Sequence, residues 1–236
     1  MSNPAVQLHL PIELAREPTL AEYLPGPNAE AVAAIRGTAS GQGEPFIFLF
    51  GPPETGKSHL LQAACLAAAQ AGRQAHYIPL GRPGIAPDIL ESLERLDLVA
   101  LDDVHRIAGQ PDWERAVFDL FNRLRERGRA LVTAAAKPPD DLALGLADLR
   151  SRLHWGPRYR LLPLTEPDSE ALLIESARRR GMPLPPEVTR YILTHYPRNP
   201  CALLDLLAHI DSLSLREQRL PTIPLVRRVM RAEDGN

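Results

Sequence analysis

An apolar pentapeptide, Phe46 to Phe50, runs straight into Gly51-Pro52-Pro53-Glu54-Thr55-Gly56-Lys57-Ser58, and this junction limits the fold more than any other feature. The octapeptide fits G-x-x-x-x-G-K-[ST], a loop built between a buried strand and the helix it opens. In a chain of 236 residues a chance match is on the order of 1 in 100, before the flanking strand and helix are counted. The glycines let the backbone curl so that amide hydrogens face phosphate oxygens, and the helix N-terminus adds favourable partial charge. The ligand expected for Gly51, Pro52, Pro53, Glu54, Thr55, Gly56, Lys57, Ser58 and the adjoining His59 is therefore ADP or ATP. Lys57 would reach the outer phosphates. Ser58 would offer its hydroxyl to Mg²⁺, a hard cation that keeps several waters.

That chemistry calls for a carboxylate on a neighbouring strand. Leu98-Val99-Ala100-Leu101-Asp102-Asp103 supplies four apolar residues ending in two aspartates. A buried strand with an acidic end is common by itself, but beside the phosphate loop it reads as a Walker B element. Asp102 would then hold the Mg²⁺ water shell, and Asp103 stands where a carboxylate polarises an attacking water.

Around these motifs, short apolar runs alternate with amphipathic stretches. The runs are Phe46 to Phe50, Ala75 to Leu80, Leu98 to Leu101, Ala130 to Ala135 and Tyr159 to Leu162, which predicts an α/β fold whose parallel sheet is covered on both faces. One predicted helix runs from Lys57 to about Ala71 and stops at Gly72. Another places Trp113, Val117, Leu120, Phe121 and Leu124 on one face ahead of Gly128. A short helix is expected over 28–36 and a loop over 37–45. After Pro163 only helical patterns remain: Thr165-Glu166-Pro167-Asp168 carries start signals, and proline-rich breaks at 183–186, 197–200 and 221–224 separate about four helices. The expected organisation is an extended tail over 1–17, a nucleotide-binding α/β domain over 18–162 and an all-helical lid over 163–236, with nucleotide between the two folded units.

The composition narrows the partners. Hydrophobic residues at 44% and charged residues at 24% exclude a largely disordered chain. A net charge of −2 provides no global positive field, so autonomous DNA binding is not expected, and the arginine runs at 178–180 and 227–228 read as solvated helix faces. Cys65 and Cys201 belong to no paired ligand motif; both are expected to be reduced thiols, with Cys65 buried. No apolar run approaches the roughly 20 residues that span a bilayer, and the N-terminus has no basic-then-apolar leader. The expectation is a cytoplasmic protein with no membrane partner.

With these elements in place, the chain resembles the AAA+ module of the replication initiator DnaA. The resemblance rests on the loop at 51–58, on Asp102-Asp103, on Phe121-Asn122-Arg123-Leu124-Arg125-Glu126-Arg127-Gly128-Arg129 and on Ser151-Arg152-Leu153-His154-Trp155-Gly156. Thr19-Leu20-Ala21-Glu22-Tyr23-Leu24-Pro25-Gly26-Pro27-Asn28 is similar to the family segment that packs near the adenine. Most of the chain from about residue 18 is covered. Within the family, the short Hda type is similar in organisation, with a clamp-binding tail, an AAA+ core and a helical lid. No counterpart of DnaA's DNA-reading helix-turn-helix is expected. The resemblance implies a negative regulator of replication initiation that works with the replicative sliding clamp, the DNA polymerase III beta subunit, to stimulate hydrolysis by ATP-bound DnaA. ADP and ATP both remain open as working ligand, and so does a homodimer, because AAA+ modules often associate head to tail.

Two further assignments come from the resemblance. Gln7-Leu8-His9-Leu10-Pro11 is similar to the Q-L-x-L-P clamp peptide, with Leu8 and Leu10 as apolar anchors and Gln7 making directional hydrogen bonds ahead of Pro11. Arg152 corresponds to the arginine finger, which reaches a neighbour's γ-phosphate as the phosphoryl bond breaks; that neighbour would be DnaA. Two positions depart from the family. Cys201 stands where a nucleotide-sensing Arg is expected, with Arg198 three positions earlier, and a thiol cannot donate a fork of hydrogen bonds. The run Leu131 to Ala136 offers only Thr133 as a polar sensor. Both departures favour a nucleotide-bound regulator with weak turnover of its own. The rival readings are an independent AAA+ ATPase, such as a helicase loader or transposition accessory protein, and a clamp-anchored adaptor without catalytic influence.

Overall fold

A computed structural model describes residues 18–234. Five strands, β1 Phe46–Phe50, β2 Ala75–Pro79, β3 Leu98–Asp102, β4 Ala130–Ala135 and β5 Arg158–Arg160, form one parallel sheet in the order β2-β3-β4-β1-β5. Helices α1 (Ala29–Ser40), α2 (Lys57–Gln70), α3 (Pro111–Glu126) and α4 (Ala147–Leu153) belong to this layer. The central strands are apolar on both faces because both are covered, and their two-residue period sorts the side chains between two cores. Phe46, Phe48, Val99, Leu101 and Leu131 pack on one side with Trp113, Val117, Leu120, Phe121 and Leu124 of α3, the face predicted from its spacing. Ile47, Leu49, Leu98, Ala100, Val132 and Ala134 face α1 and α2.

Two element boundaries differ from the sequence expectation. α1 continues through Gly37 to Ser40 instead of stopping at residue 36. Gly43 folds back so closely that a Cβ on it would stand 2.6 Å from the Gly37 carbonyl carbon, and the N–H groups of Gln42 and Gly43 both donate to the Gly37 oxygen. Gly37 thus serves a close approach inside the helix, while Gly41, at φ 78°, supplies the left-handed terminus. β5 spans Arg158–Arg160 rather than 159–162, although the Leu161 N–H still donates to the Phe50 carbonyl at 2.7 Å. Cys65 is half-buried rather than fully buried; its environment pushes the thiol up to about 12.

Beyond the sheet, α5 (Glu166–Arg179), α6 (Pro186–His195), α7 (Pro200–Glu217) and α8 (Ile223–Asp234) enclose a third core that includes Leu173, Ile192, Leu203, Leu207 and Val226. The start signals at 165–168 form a capping box: the Thr165 hydroxyl accepts from the Asp168 N–H, and the Asp168 carboxylate accepts from the Thr165 N–H at 3.1 Å. Pro186 and Pro200 open α6 and α7, where a missing N–H is harmless. Leu24 and Leu164 pack against this core, so the N-terminal segment reaches the helical unit. Among the described residues, no helix is long and apolar enough to cross a membrane.

Candidate functional site

The strand register decides which side chains share one end of the sheet. Phe48 of β1 pairs with Thr133 of β4, which pairs with Leu101 of β3, so the loop after β1 and the aspartates ending β3 emerge together on either side of β4. In open α/β sheets the C-terminal strand ends are where ligands bind.

The loop at 51–58 is shaped by close packing. A Cβ on Gly51 would collide with the Leu161 carbonyl, and one on Gly56, at φ 84°, would stand 2.5 Å from the Tyr23 ring. Thr55 is buried and its hydroxyl donates to the Pro52 carbonyl at 3.0 Å, bracing the curl, while Pro52, Pro53 and Glu54 form an exposed crest. Lys57 folds back over the loop, its Nζ donating to the Gly51 and Pro52 carbonyls at 2.8 and 2.6 Å. Burial holds its pKa below that of an ordinary lysine, against the opposing fields of Asp102 and Asp103. The lysine therefore lies within the field of both aspartates.

Asp102 is 2% exposed. Its Oδ1 accepts from the Asp103 N–H at 2.8 Å and its Oδ2 from the Tyr77 hydroxyl at 2.9 Å, with Ser58 and Gln62 of α2 beside the same phenol. Ser58 itself is exposed at the start of α2. No group of three or more His, Cys, Asp or Glu among the described residues could cage a metal. One hydroxyl and one carboxylate, both hard oxygen donors, instead fit Mg²⁺, which takes much of its shell from water and phosphate. Asp103 sits in left-handed backbone at φ 56° with its carboxylate partly open, and the His105 Nδ1 stands 4.0 Å away. That same Nδ1 accepts from the Ala136 N–H at 3.3 Å, linking the ends of β3 and β4.

Beside the loop lies a cleft lined by Tyr23, Thr55, Gly56, His59 and Leu162 and, from the helical unit, Leu172, Cys201 and Leu204. The Tyr23 hydroxyl donates to the Thr55 carbonyl at 2.9 Å and accepts from the Asn28 amide at 3.2 Å. Asn28 also exchanges hydrogen bonds with the Leu162 backbone, donating to its carbonyl at 2.9 Å and accepting from its N–H at 2.8 Å. Burial pushes the Tyr23 phenol up to about 12. His59 bonds to the Thr19 carbonyl at 2.9 Å through a ring nitrogen. The segment similar to the family's adenine-side segment is thus fastened to the phosphate loop.

Cys201 lines this cleft, whereas Arg198 is turned into the helical unit, donating to the Leu193 carbonyl at 2.9 Å and to Glu166 at 2.8 Å. Thr133, the one polar side chain expected as a sensor, is 3% exposed and donates to the Ile47 carbonyl at 3.3 Å. It is spent inside the sheet, because its register places it one turn of the pleat short of the open end.

Arg152 lies elsewhere. Gly156, four residues on, packs directly against the Phe46 carbonyl at the start of β1, so the length of β1, roughly 13 Å at about 3.3 Å per residue, separates this region from the phosphate loop. The Arg152 guanidinium sits 5.2 Å from the Trp155 ring centre, 5.7 Å from that of Phe118 and 5.9 Å from that of Phe121, and its Nε is buried without a hydrogen-bond partner. Trp155 is 55% exposed and carries Arg125 at 5.1 Å. Gln7, Leu8, Leu10 and Pro11 lie outside the described residues. Tyr77, Gln62 and His105 are site residues that the motifs did not single out, while Tyr23 and Asn28 belong to the segment read as similar to the family's adenine-side segment.

Two family models match consecutive parts of the chain: the bacterial DnaA ATPase domain over residues 84–159 and the Hda lid domain over residues 166–230. Domain III of the Thermotoga maritima replication initiation protein DnaA superposes with a TM-score of 0.76 at 20% identity, covering 92% of this chain and 96% of that one. AMPPCP-bound DnaA from Aquifex aeolicus gives 0.74 at 23%, covering 94% and 71%. The Thermotoga maritima RuvB Holliday junction branch migration motor gives 0.67 at 17%, covering 92% and 72%. These structures establish the fold as an AAA+ α/β sheet with a helical lid.

Proposed function

We propose that this chain, an Hda-like, DnaA-homologous AAA+ protein, is a nucleotide-bound negative regulator of DNA replication initiation that stimulates ATP hydrolysis by DnaA in trans. The observation that carries this reading is the place of Arg152 on a segment that packs, through Gly156, against the start of β1, while the phosphate loop leaves the other end of that strand. An arginine placed there cannot serve the nucleotide between Lys57 and Cys201. Released from the Phe118, Phe121 and Trp155 rings, it would reach the phosphates of a neighbouring module, where a guanidinium stabilises the charge that develops as the phosphoryl bond breaks.

Lys57 and the loop amides bind the phosphates, Ser58 and Asp102 hold the cation, and Tyr23 and Leu162 line the base side of the cleft. Mg²⁺, when bound, neutralises charge between the β- and γ-phosphates. Cys201 cannot offer a γ-phosphate the fork of hydrogen bonds an arginine would, and the alanines ending β4 have no side-chain donor, which favours a bound ADP or slowly turned-over ATP over a fast motor. Gln7, Leu8, Leu10 and Pro11 dock the sliding clamp and bring Arg152 to DnaA on DNA. The intact Lys57, Asp102 and Asp103 favour the second reading, an independent AAA+ ATPase.

The test is Arg152→Ala assayed against ATP-loaded DnaA. The expected result is unchanged ADP and clamp binding with stimulation reduced by at least about 100-fold, below the usual worth of an arginine finger. Stimulation equal to that of the unaltered protein would remove the assignment.

A further inference from the structure

We propose that the Tyr77 hydroxyl stands in for a cation-bound water at the nucleotide site, so that ADP binding is nearly independent of Mg²⁺. The inference rests on the reading of residues 51–58 as the nucleotide loop.

The alternation of the strands creates the arrangement. Tyr77 of β2 pairs with Ala100 of β3, and Ala100 and Asp102 point to the same face, the one covered by α2. Tyr77 consequently reaches along that face to Asp102 Oδ2 at 2.9 Å while Ser58 and Gln62, from the first two turns of α2, approach the same phenolic oxygen. The other oxygen, Oδ1, is already bound by the Asp103 N–H at 2.8 Å. Each oxygen of a carboxylate that is 2% exposed thereby has one donor from the protein alone. Water on a phosphate-bound Mg²⁺ would make the same two contacts, donating to the aspartate and adjoining the serine. A buried carboxylate beside a polyphosphate, with one oxygen left bare, would oppose the ligand by like-charge repulsion and by its own unmet desolvation. The phenol supplies the missing donor when the cation is absent. A regulator with this device keeps its nucleotide whether or not Mg²⁺ is present.

The test measures the Kd for ADP in Mg²⁺ and in EDTA, for the whole protein and for Tyr77→Phe, which keeps the ring and deletes only the hydroxyl. The expected ratio of the two constants is within about threefold for the unaltered protein and at least about tenfold for Tyr77→Phe, with the change confined to Mg²⁺, where the variant binds more tightly because it has no phenol bond to break, in keeping with the worth of a hydrogen bond to a charged group. Equal ratios in the two proteins would overturn the assignment while leaving the nucleotide site in place. Failure of the unaltered protein to bind ADP in either buffer would overturn the site and this inference together. A measurement on the unaltered protein guards against misfolding of the variant: with ¹³Cζ-labelled tyrosine, adding Mg²⁺ to the ADP complex shifts a ring resonance as the cation's water displaces the phenol from Asp102, and unchanged tyrosine resonances contradict the proposal.

Discussion

The Tyr23 hydroxyl donates to the Thr55 carbonyl and receives the Asn28 amide, while Asn28 grips the Leu162 backbone, so two side chains tie the N-terminal segment to both edges of the cleft. Tyr23→Phe keeps the ring that covers Gly56 but removes both bonds at the hydroxyl. The expected loss is about 1 kcal/mol of stability, read by thermal unfolding, with weaker ADP binding. The pH dependence has a definite sign. The native phenol keeps its proton up to about 12 against an ordinary 10.0, so its contribution is complete below pH 10 and disappears as pH rises towards 12. Tyr23→Phe flattens that alkaline decline; a decline of the same steepness in the variant would contradict the role given to the hydroxyl. The sequence marked the segment 19–28 by resemblance, but none of these bonds was visible in it. Lys57, Ser58, Asp102 and Asp103 are legible because each lies in a contiguous run with fixed spacing, whereas Tyr23, Tyr77 and His105 gain their roles from neighbours brought together by strand register and by long-range folding.

At the scale of elements, the helix that carries Arg152 is held by a residue on another helix. Glu114 of α3 is 1% exposed; its Oε1 accepts from the Gly109 N–H at 2.7 Å and the Gly145 N–H at 3.1 Å, and its Oε2 accepts from the Leu146 N–H at 2.7 Å, immediately ahead of α4. The carboxylate fixes where α4 begins. Glu114→Ala strands three backbone donors, and the expected cost is roughly 3 kcal/mol or more in urea unfolding. Stimulation in trans should fall further than ADP binding does, because α4 loses its anchor and the nucleotide loop does not. Equal losses in both would point to global unfolding instead. α3 itself was legible from its apolar stripe, and the capping box of α5 from Thr165 and Asp168. The end of α1 was not. A glycine inside a helix reads as a terminator in sequence, and only the return of Gly43 onto Gly37 explains why the helix continues past it.

At the scale of the molecule, the sheet and the four-helix unit meet across the cleft, where Thr55, Gly56 and His59 face Leu172, Cys201 and Leu204. The parallel sheet, the helical unit after residue 163 and the strand–loop–helix junction were legible because periodicity and motif agree along the chain, whereas the strand order β2-β3-β4-β1-β5 was not. Cys201, at the position where the resemblance expects a sensing arginine, was read from the sequence alone, but the commitment of Arg198 to Glu166 and of Thr133 to Ile47 required the packed structure. The proposed function requires of them a module that holds nucleotide while Arg152 acts on a neighbour. The most direct test is γ-phosphate release by ATP-loaded DnaA, with DNA-loaded clamp and ADP present, on adding this protein whole or without residues 1–12. The account predicts clear acceleration by the whole chain and none by the truncated one, although both bind ADP. No acceleration by the whole chain, alongside steady ATP turnover by the chain alone, would contradict it and identify an independent motor.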